Sequence, residues 1–164
     1  MNSAQEHPSY HRILVVDDDS DICQLNVDVL TRSGYQVDTA TDGEAGWSAL
    51  DAVAYDADGY DLLITDHDLP GLSGLDLVRK LRAARMALPV ILSSGRLPTE
   101  ELKHNPWLEV SATLQKPFSI HQLVETVQFV LRRAEGSGGQ IARLPTQSQR
   151  IPAPTGFRPA SATL

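Results

Sequence analysis

The sequence predicts an α/β protein: a parallel five-stranded sheet covered by helices on both faces. Three observations predict it. Short apolar runs alternate with amphipathic stretches along the first 134 residues. The runs "RILVV", "DLLIT" and "LPVIL" are almost wholly apolar, as strands buried on both faces are. Each run ends abruptly in polar residues, aspartates after the first two and serines after the third.

"RILVV" (12–16) is the first strand, and Asp17, Asp18 and Asp19 follow it at once. Ser20 or Asp21 can cap a helix reaching Arg32, with Ile22, Leu25 and Val29 on one face and Gly34 as its stop. "YQVDTA" (35–40) alternates apolar and polar and reads as an outer strand. Asp42 and Gly43 turn the chain into a helix, "EAGWSALDAV", with Trp47 and Leu50 inward. The strand "DLLIT" (61–65) ends at Asp66, and Pro70, Gly71 and Gly74 supply turn chemistry. Leu77, Val78 and Leu81 then line a helix ending near Arg85. The strand "LPVIL" (88–92) ends in Ser93, Ser94 and Gly95, and a short helix follows over 99–104 until Pro106 interrupts it. "SATLQ" (111–115) is the last strand and ends at Lys116. Ser119 and Gln122 form a capping box ahead of a stripe of Leu123, Val127, Val130 and Leu131 that runs to Arg133.

This βαβαβαβαβα order implies right-handed crossovers and a three-layer sandwich. Five strands at this spacing suit the flavodoxin-like order 2-1-3-4-5. Residues 1–10 read as a flexible extension, 11–134 as the domain, and 135–164, rich in Gly, Ser, Gln and Pro, as a flexible tail.

Composition narrows the function. The 164 residues carry a net charge of −7, and residues 1–134 hold 20 acidic against 11 basic side chains. Such an acidic surface repels phosphate backbones, so no nucleic acid partner is expected. No apolar run is long enough to span a membrane, and the N-terminus lacks a signal-peptide layout. Cys23 is the single cysteine, has no metal-ligand spacing around it, and reads as helix packing. A reducing cytoplasm is the expected home.

In a parallel sheet all strand C-termini share one edge, where ligands bind. That edge gathers Asp17, Asp18, Asp66, Ser93 or Ser94, and Lys116. Three carboxylates about 4–5 Å apart repel by about 3–4 kcal/mol per pair at an effective dielectric near 20. They need a cation or raised pKa values. Hard oxygens from carboxylates suit Mg²⁺, which favours a phosphate as co-ligand. Mg²⁺, a lysine and a free carboxylate make a phosphoryl-transfer site: the cations neutralise the equatorial oxygens while the carboxylate attacks phosphorus.

The motifs "ILVVDDD", "LLITDHDLPGLSG", "PVILSSG" and "LQKPF", in this order, resemble the receiver domain of two-component response regulators. The wording of the last two is most similar to receivers of hybrid sensor kinases. The resemblance implies that Asp66 is the phosphoacceptor and that Asp17 and Asp18 hold Mg²⁺ with Asp66 and the backbone carbonyl of Asp68. It also implies that Ser94 and Lys116 contact the phosphoryl group and that the Lys116–Pro117 bond is cis. One position departs from the pattern. Where the family often carries an aromatic switch residue, this chain has Thr113, so output is expected through backbone shifts rather than a rotation of Ser94 coupled to an aromatic ring. The extra carboxylate of Asp68 is expected to tune phosphate lifetime.

The implied function is a stand-alone response regulator, phosphorylated by a histidine kinase or a histidine phosphotransfer protein and not itself a turnover enzyme. Its expected readout is a downstream protein that contacts the surface formed by helix 99–104, strand 111–115 and the last helix. A monomer or weak homodimer is expected. Two alternatives stand beside it. One is a receiver-like scaffold that works without phosphorylation. The other is a haloacid-dehalogenase-like phosphatase using the D-x-D of Asp66 and Asp68, although in that family the D-x-D strand leads and further acids follow it.

Overall fold

The computed structural model describes residues 10–137. The expected N-terminal extension, apart from Tyr10, and the expected tail from residue 138 onward lie outside the described residues. Strands β1 (Arg12–Val16), β2 (Gln36–Ala40), β3 (Leu62–Asp66), β4 (Val90–Ser94) and β5 (Ala112–Gln115) are all parallel and pair in the order β2-β1-β3-β4-β5. Helices α1 (Ser20–Arg32), α2 (Gly43–Ala52), α3 (Gly74–Ala83), α4 (Thr99–His104) and α5 (Ile120–Gly136) alternate with them. The expected flavodoxin-like α/β sandwich and its strand order are both present.

Two cores sit on either side of the sheet. Leu14, Val16, Leu63 and Leu92 point to one face and pack with Leu50 of α2 and Leu77 and Leu81 of α3. Ile13, Val15, Ile64, Ile91 and Leu114 point to the other and pack with Leu30 of α1 and Leu123 and Val127 of α5. Successive residues of an apolar strand thus serve opposite cores, which is why the inner strands show no polar alternation.

Helix α1 corrects the sequence reading twice. Asp19, not Ser20 or Asp21, is its N-cap: its carboxylate accepts the amide hydrogens of Asp21 and Ile22 at 3.0 and 3.1 Å. Its buried positions are Cys23, Asn26 and Leu30, whereas Leu25 is 52% exposed. Ile22, Leu25 and Val29 form a stripe adjacent to the one that packs. The 3.6-residue repeat fits both stripes, and an inward Asn carries no apolar signal. Trp47, expected inward, is half-buried, with the Lys80 ammonium 5.0 Å from the centre of one of its rings.

The capping box of α5 is present in both halves, Ser119 Oγ accepting from Gln122 N and Gln122 Oε1 from Ser119 N. The helix runs three residues beyond Arg133, to Gly136, so ordered backbone continues past the expected domain end. Helix α4 is short and has no fully buried residue. A 3₁₀ turn, Pro106–Leu108, follows it and plugs Leu108 into the core. Arg82 of α3 ties this region down by donating to the carbonyls of Met86, Leu88 and Leu108 at 2.7, 3.0 and 2.9 Å.

Candidate functional site

The sheet register builds the site. Val16 pairs with Thr65, Asp66 with Ser93, and Ser94 with Gln115. Asp17, one residue past β1, therefore stands beside Asp66 at the end of β3, and Lys116 lies one residue past β5. Backbone hydrogen bonds hold these overhangs: Asp17 N–H to the Ala40 carbonyl at 3.1 Å, His67 N–H to that of Ser93 at 2.8 Å, and Lys116 N–H to that of Ser94 at 2.9 Å.

The Lys116 ammonium lies 2.9 Å from Asp17 Oδ2 and 3.3 Å from Asp66 Oδ1. Asp17 and Asp66 are buried, whereas Asp18 is exposed. Each of the three offers a carboxylate oxygen, and these oxygens all lie within 4.8 Å of one another. At that separation each pair repels by about 3 kcal/mol at an effective dielectric of about 20. One ammonium cannot balance three carboxylates. Asp17 Oδ1 is partly satisfied by the Asp19 amide at 3.0 Å. Asp66 Oδ1 is buried and makes no hydrogen bond among the described residues, where Lys116 approaches it only as an ion contact at 3.3 Å. An orphaned carboxylate oxygen beside two further carboxylates fits a small, hard divalent cation.

Burial pushes the Asp66 carboxyl above its ordinary pKa; Lys116 opposes this and Asp17 adds to it. Burial pulls the Lys116 ammonium down, but its contacts with Asp17 and Asp66 outweigh that and hold its pKa above the ordinary value. The site thus holds one amine whose charge its acidic neighbours favour and one carboxylate raised by desolvation, a pattern typical of functional pockets.

Asp17, Asp18, Asp66 and Lys116 are brought together as the sequence reading expects. Ser94 is close by but turned elsewhere: its hydroxyl contacts Asp68 Oδ2 at 2.9 Å and the Arg96 carbonyl at 2.8 Å, and no hydrogen bond joins it to Asp66. Ser93 is buried as strand packing. Asp68 is exposed, two residues past Asp66. Thr113 is exposed on β5 and lines an open groove with Leu102, Pro106 and Val110. The Lys116–Pro117 peptide is cis.

Two residues of the site were missed or misread. His67, in the loop after β3 where no local signal marks burial, is part-buried, and its Nδ1 is buried without a hydrogen-bond partner among the described residues. Gly74 reads as turn chemistry, yet its α-carbon lies against the end of β3. A Cβ there would sit 2.2 Å from the Asp66 carbonyl oxygen and 2.9 Å from the His67 Cα. Both obstacles are backbone, so neither can swing aside. Gly74→Ala is expected to cost about 3 kcal/mol through overpacking and to displace the segment that carries Asp66. Chemical denaturation and the amide chemical shifts of residues 66–68 would register both effects. No local sequence signal marks that contact, because it joins a helix start to a strand end.

Residues 13–128 match the family model for the response regulator receiver domain. The chain belongs to the response regulator receiver family. The transcriptional regulatory protein CpxR of Klebsiella pneumoniae is 35% identical over 132 residues, which make up 79% of this chain and 53% of that protein. The alkaline phosphatase synthesis transcriptional regulatory protein PhoP of Bacillus subtilis is 34% identical over 126 residues, 76% of this chain and 50% of the relative. The chain spans about half the length of the curated relatives it matches. The crystal structure of a CheY-like receiver domain protein from Methanospirillum hungatei overlays with a TM-score of 0.68 at 26% identity, covering 79% of this chain and all of the other. This receiver thus shares its fold with the receiver domains of other response regulators. Among the described residues no helix is long and apolar enough to cross a membrane.

Proposed function

We propose that this receiver is a phosphorylation switch whose acceptor is Asp66. A histidine kinase or a histidine phosphotransfer protein would supply the group. In the step, an Asp66 carboxylate oxygen forms a bond to phosphorus while the phosphorus–nitrogen bond of the donor phosphohistidine breaks, and the imidazole leaves and takes up a proton from solvent. Lys116 faces the charge that develops on the phosphoryl oxygens. The residues that would hold Mg²⁺ are Asp17, Asp18, Asp66 and the carbonyl of Asp68; when bound, the ion supplies positive charge to the phosphoryl oxygens. The chain accepts one phosphoryl group and is not a turnover enzyme.

The observation that supports this reading most is the meeting of Lys116, Asp17 and the orphaned Asp66 oxygen at one sheet edge. A phosphoryl group adds a charge of about −1.5 to −2, enough to bias the nearby β4–α4 loop. The proposed readout is a protein contact on the α4–β5–α5 surface, in the cytoplasm, where phosphohistidine donors are made. Transcriptional regulation is the named role of several relatives, and for this chain we propose protein contact rather than nucleic-acid binding as the direct output.

Acetyl phosphate with Mg²⁺ is expected to label the chain once, as an acyl phosphate that hydroxylamine releases. Beryllofluoride with Mg²⁺ is expected to bind as a phosphoryl analogue. Absence of both, with the surface still binding its partner after Asp66→Asn, would establish the phosphorylation-independent scaffold instead. Turnover of small phosphate esters would establish the phosphatase.

A further inference from the structure

The Ser94 hydroxyl carries one proton and has two acceptors, the Asp68 carboxylate at 2.9 Å and the Arg96 carbonyl at 2.8 Å. Its own oxygen accepts the Arg96 amide at 3.0 Å. Ser94 is fully buried at the end of β4, and Asp68 leans over it from the loop after β3. A charged acceptor holds a hydroxyl more strongly than a neutral one at the same distance. The Asp68 contact also spans two chain segments, whereas the Arg96 contacts stay within one turn.

We propose that Asp68 is a positioning residue that latches the Ser94 hydroxyl and the start of the β4–α4 loop in the resting state. The inference rests on the phosphorylation reading for its consequence but not for its existence. A phosphoryl group on Asp66 must compete with Asp68 for the same proton, and each arrangement excludes the other. The latch therefore raises the threshold for switching and returns the loop to rest once phosphate is lost. Asp68 acts here through its side chain; its backbone carbonyl is untouched by the substitutions below.

Two measurements on the full chain test this separately. The first needs no metal and no phosphate. In metal-free protein, NMR exchange of the Arg96 amide reports whether Ser94 Oγ stays in place to accept it. Asp68→Ala is expected to speed that exchange about threefold or more and to shift the Ser94 and Arg96 amide resonances. An unchanged Arg96 amide overturns the latch. The second is a double-mutant cycle read by beryllofluoride titration with Mg²⁺. Asp68→Asn, which removes the charge and keeps the shape, is expected to tighten binding about tenfold when Ser94 is present. In a Ser94→Ala background the gain should fall to about twofold, the remainder being relief of charge repulsion. Equal gains in both backgrounds overturn the latch in favour of simple repulsion. If wild type and all variants fail to bind beryllofluoride while the Arg96 amide responds, the latch stands and the phosphorylation reading fails.

Discussion

Asp66→Asn is expected to abolish labelling by acetyl phosphate and, in the same protein, to raise the melting temperature of the metal-free chain. The first effect follows from chemistry, since an amide oxygen is not a nucleophile for phosphorus at neutral pH. The second follows from electrostatics. Asp66 sits buried beside Asp17 with one oxygen unpartnered, and its carboxyl is pushed above its ordinary value of 3.8. The folded state therefore takes up this proton more readily than the unfolded chain does. The stability that Asp66 contributes is fully present below its ordinary value and is lost as pH rises through the folded value. At neutral pH the ionised group burdens the fold, and a neutral isostere relieves about 1 kcal/mol, or roughly 4 °C. Melts in EDTA at about pH 7 and about pH 4 should show the difference between variant and wild type shrinking on acidification. Added Mg²⁺ should also narrow it, because the wild type gains more from an ion it binds more tightly. A variant less stable than wild type at neutral pH would mean that the Lys116 contact outweighs burial.

Lys116→Met should damage both stability and chemistry. Among the described residues Lys116 is the one cation touching Asp17 and Asp66, and removing it leaves two buried carboxylates facing each other. Breaking a buried ion pair from one side costs about 3 kcal/mol. Because the lysine pKa is raised, the contribution it makes to folding is present across the neutral range and disappears only as pH climbs through that value. Loss of its charge opposite the phosphoryl oxygens should slow labelling by about 10²-fold. Mg²⁺ should restore more stability to this variant than to wild type, because a divalent ion takes over the neutralising role. Lys116→Arg is expected to recover stability better than rate, since a planar guanidinium keeps the charge but not the compact geometry. Urea unfolding with and without Mg²⁺, beside phosphotransfer rates, separates the two contributions. Equal stability of Lys116→Met and wild type without metal would show that solvent already screens the acidic pair.

Residues whose role is set by local chemistry were readable along the chain. The apolar runs of β1, β3 and β4 had to be inner strands, because no other element buries every residue of so short a run. Ser119 and Gln122 announced α5 through their mutual hydrogen bonds. The sequence alone brings Asp17, Asp66 and Lys116 together, since a parallel sheet sends every strand end to one edge. The misreadings share a cause. Leu25 faces outward and Asn26 inward because α5 and the sheet, not hydropathy, choose which stripe of α1 packs. His67 is part-buried because the Gly74 amide and the Ser93 carbonyl draw its backbone inward, at 3.1 and 2.8 Å.

Chain order and side-chain type are enough to establish the topology, the acidic edge and the opposing lysine, because those depend on hydrophobic burial and on the shared direction of parallel strands. Packing alone sets the finer matters: that Asp66 Oδ1 is left without a donor, that Gly74 has no room for a methyl group, and that the Ser94 hydroxyl turns to Asp68. Each of these depends on a distance of a few tenths of an ångström between segments remote in sequence. Distances that fine arise only when close-packed layers settle against each other, and no periodicity encodes them.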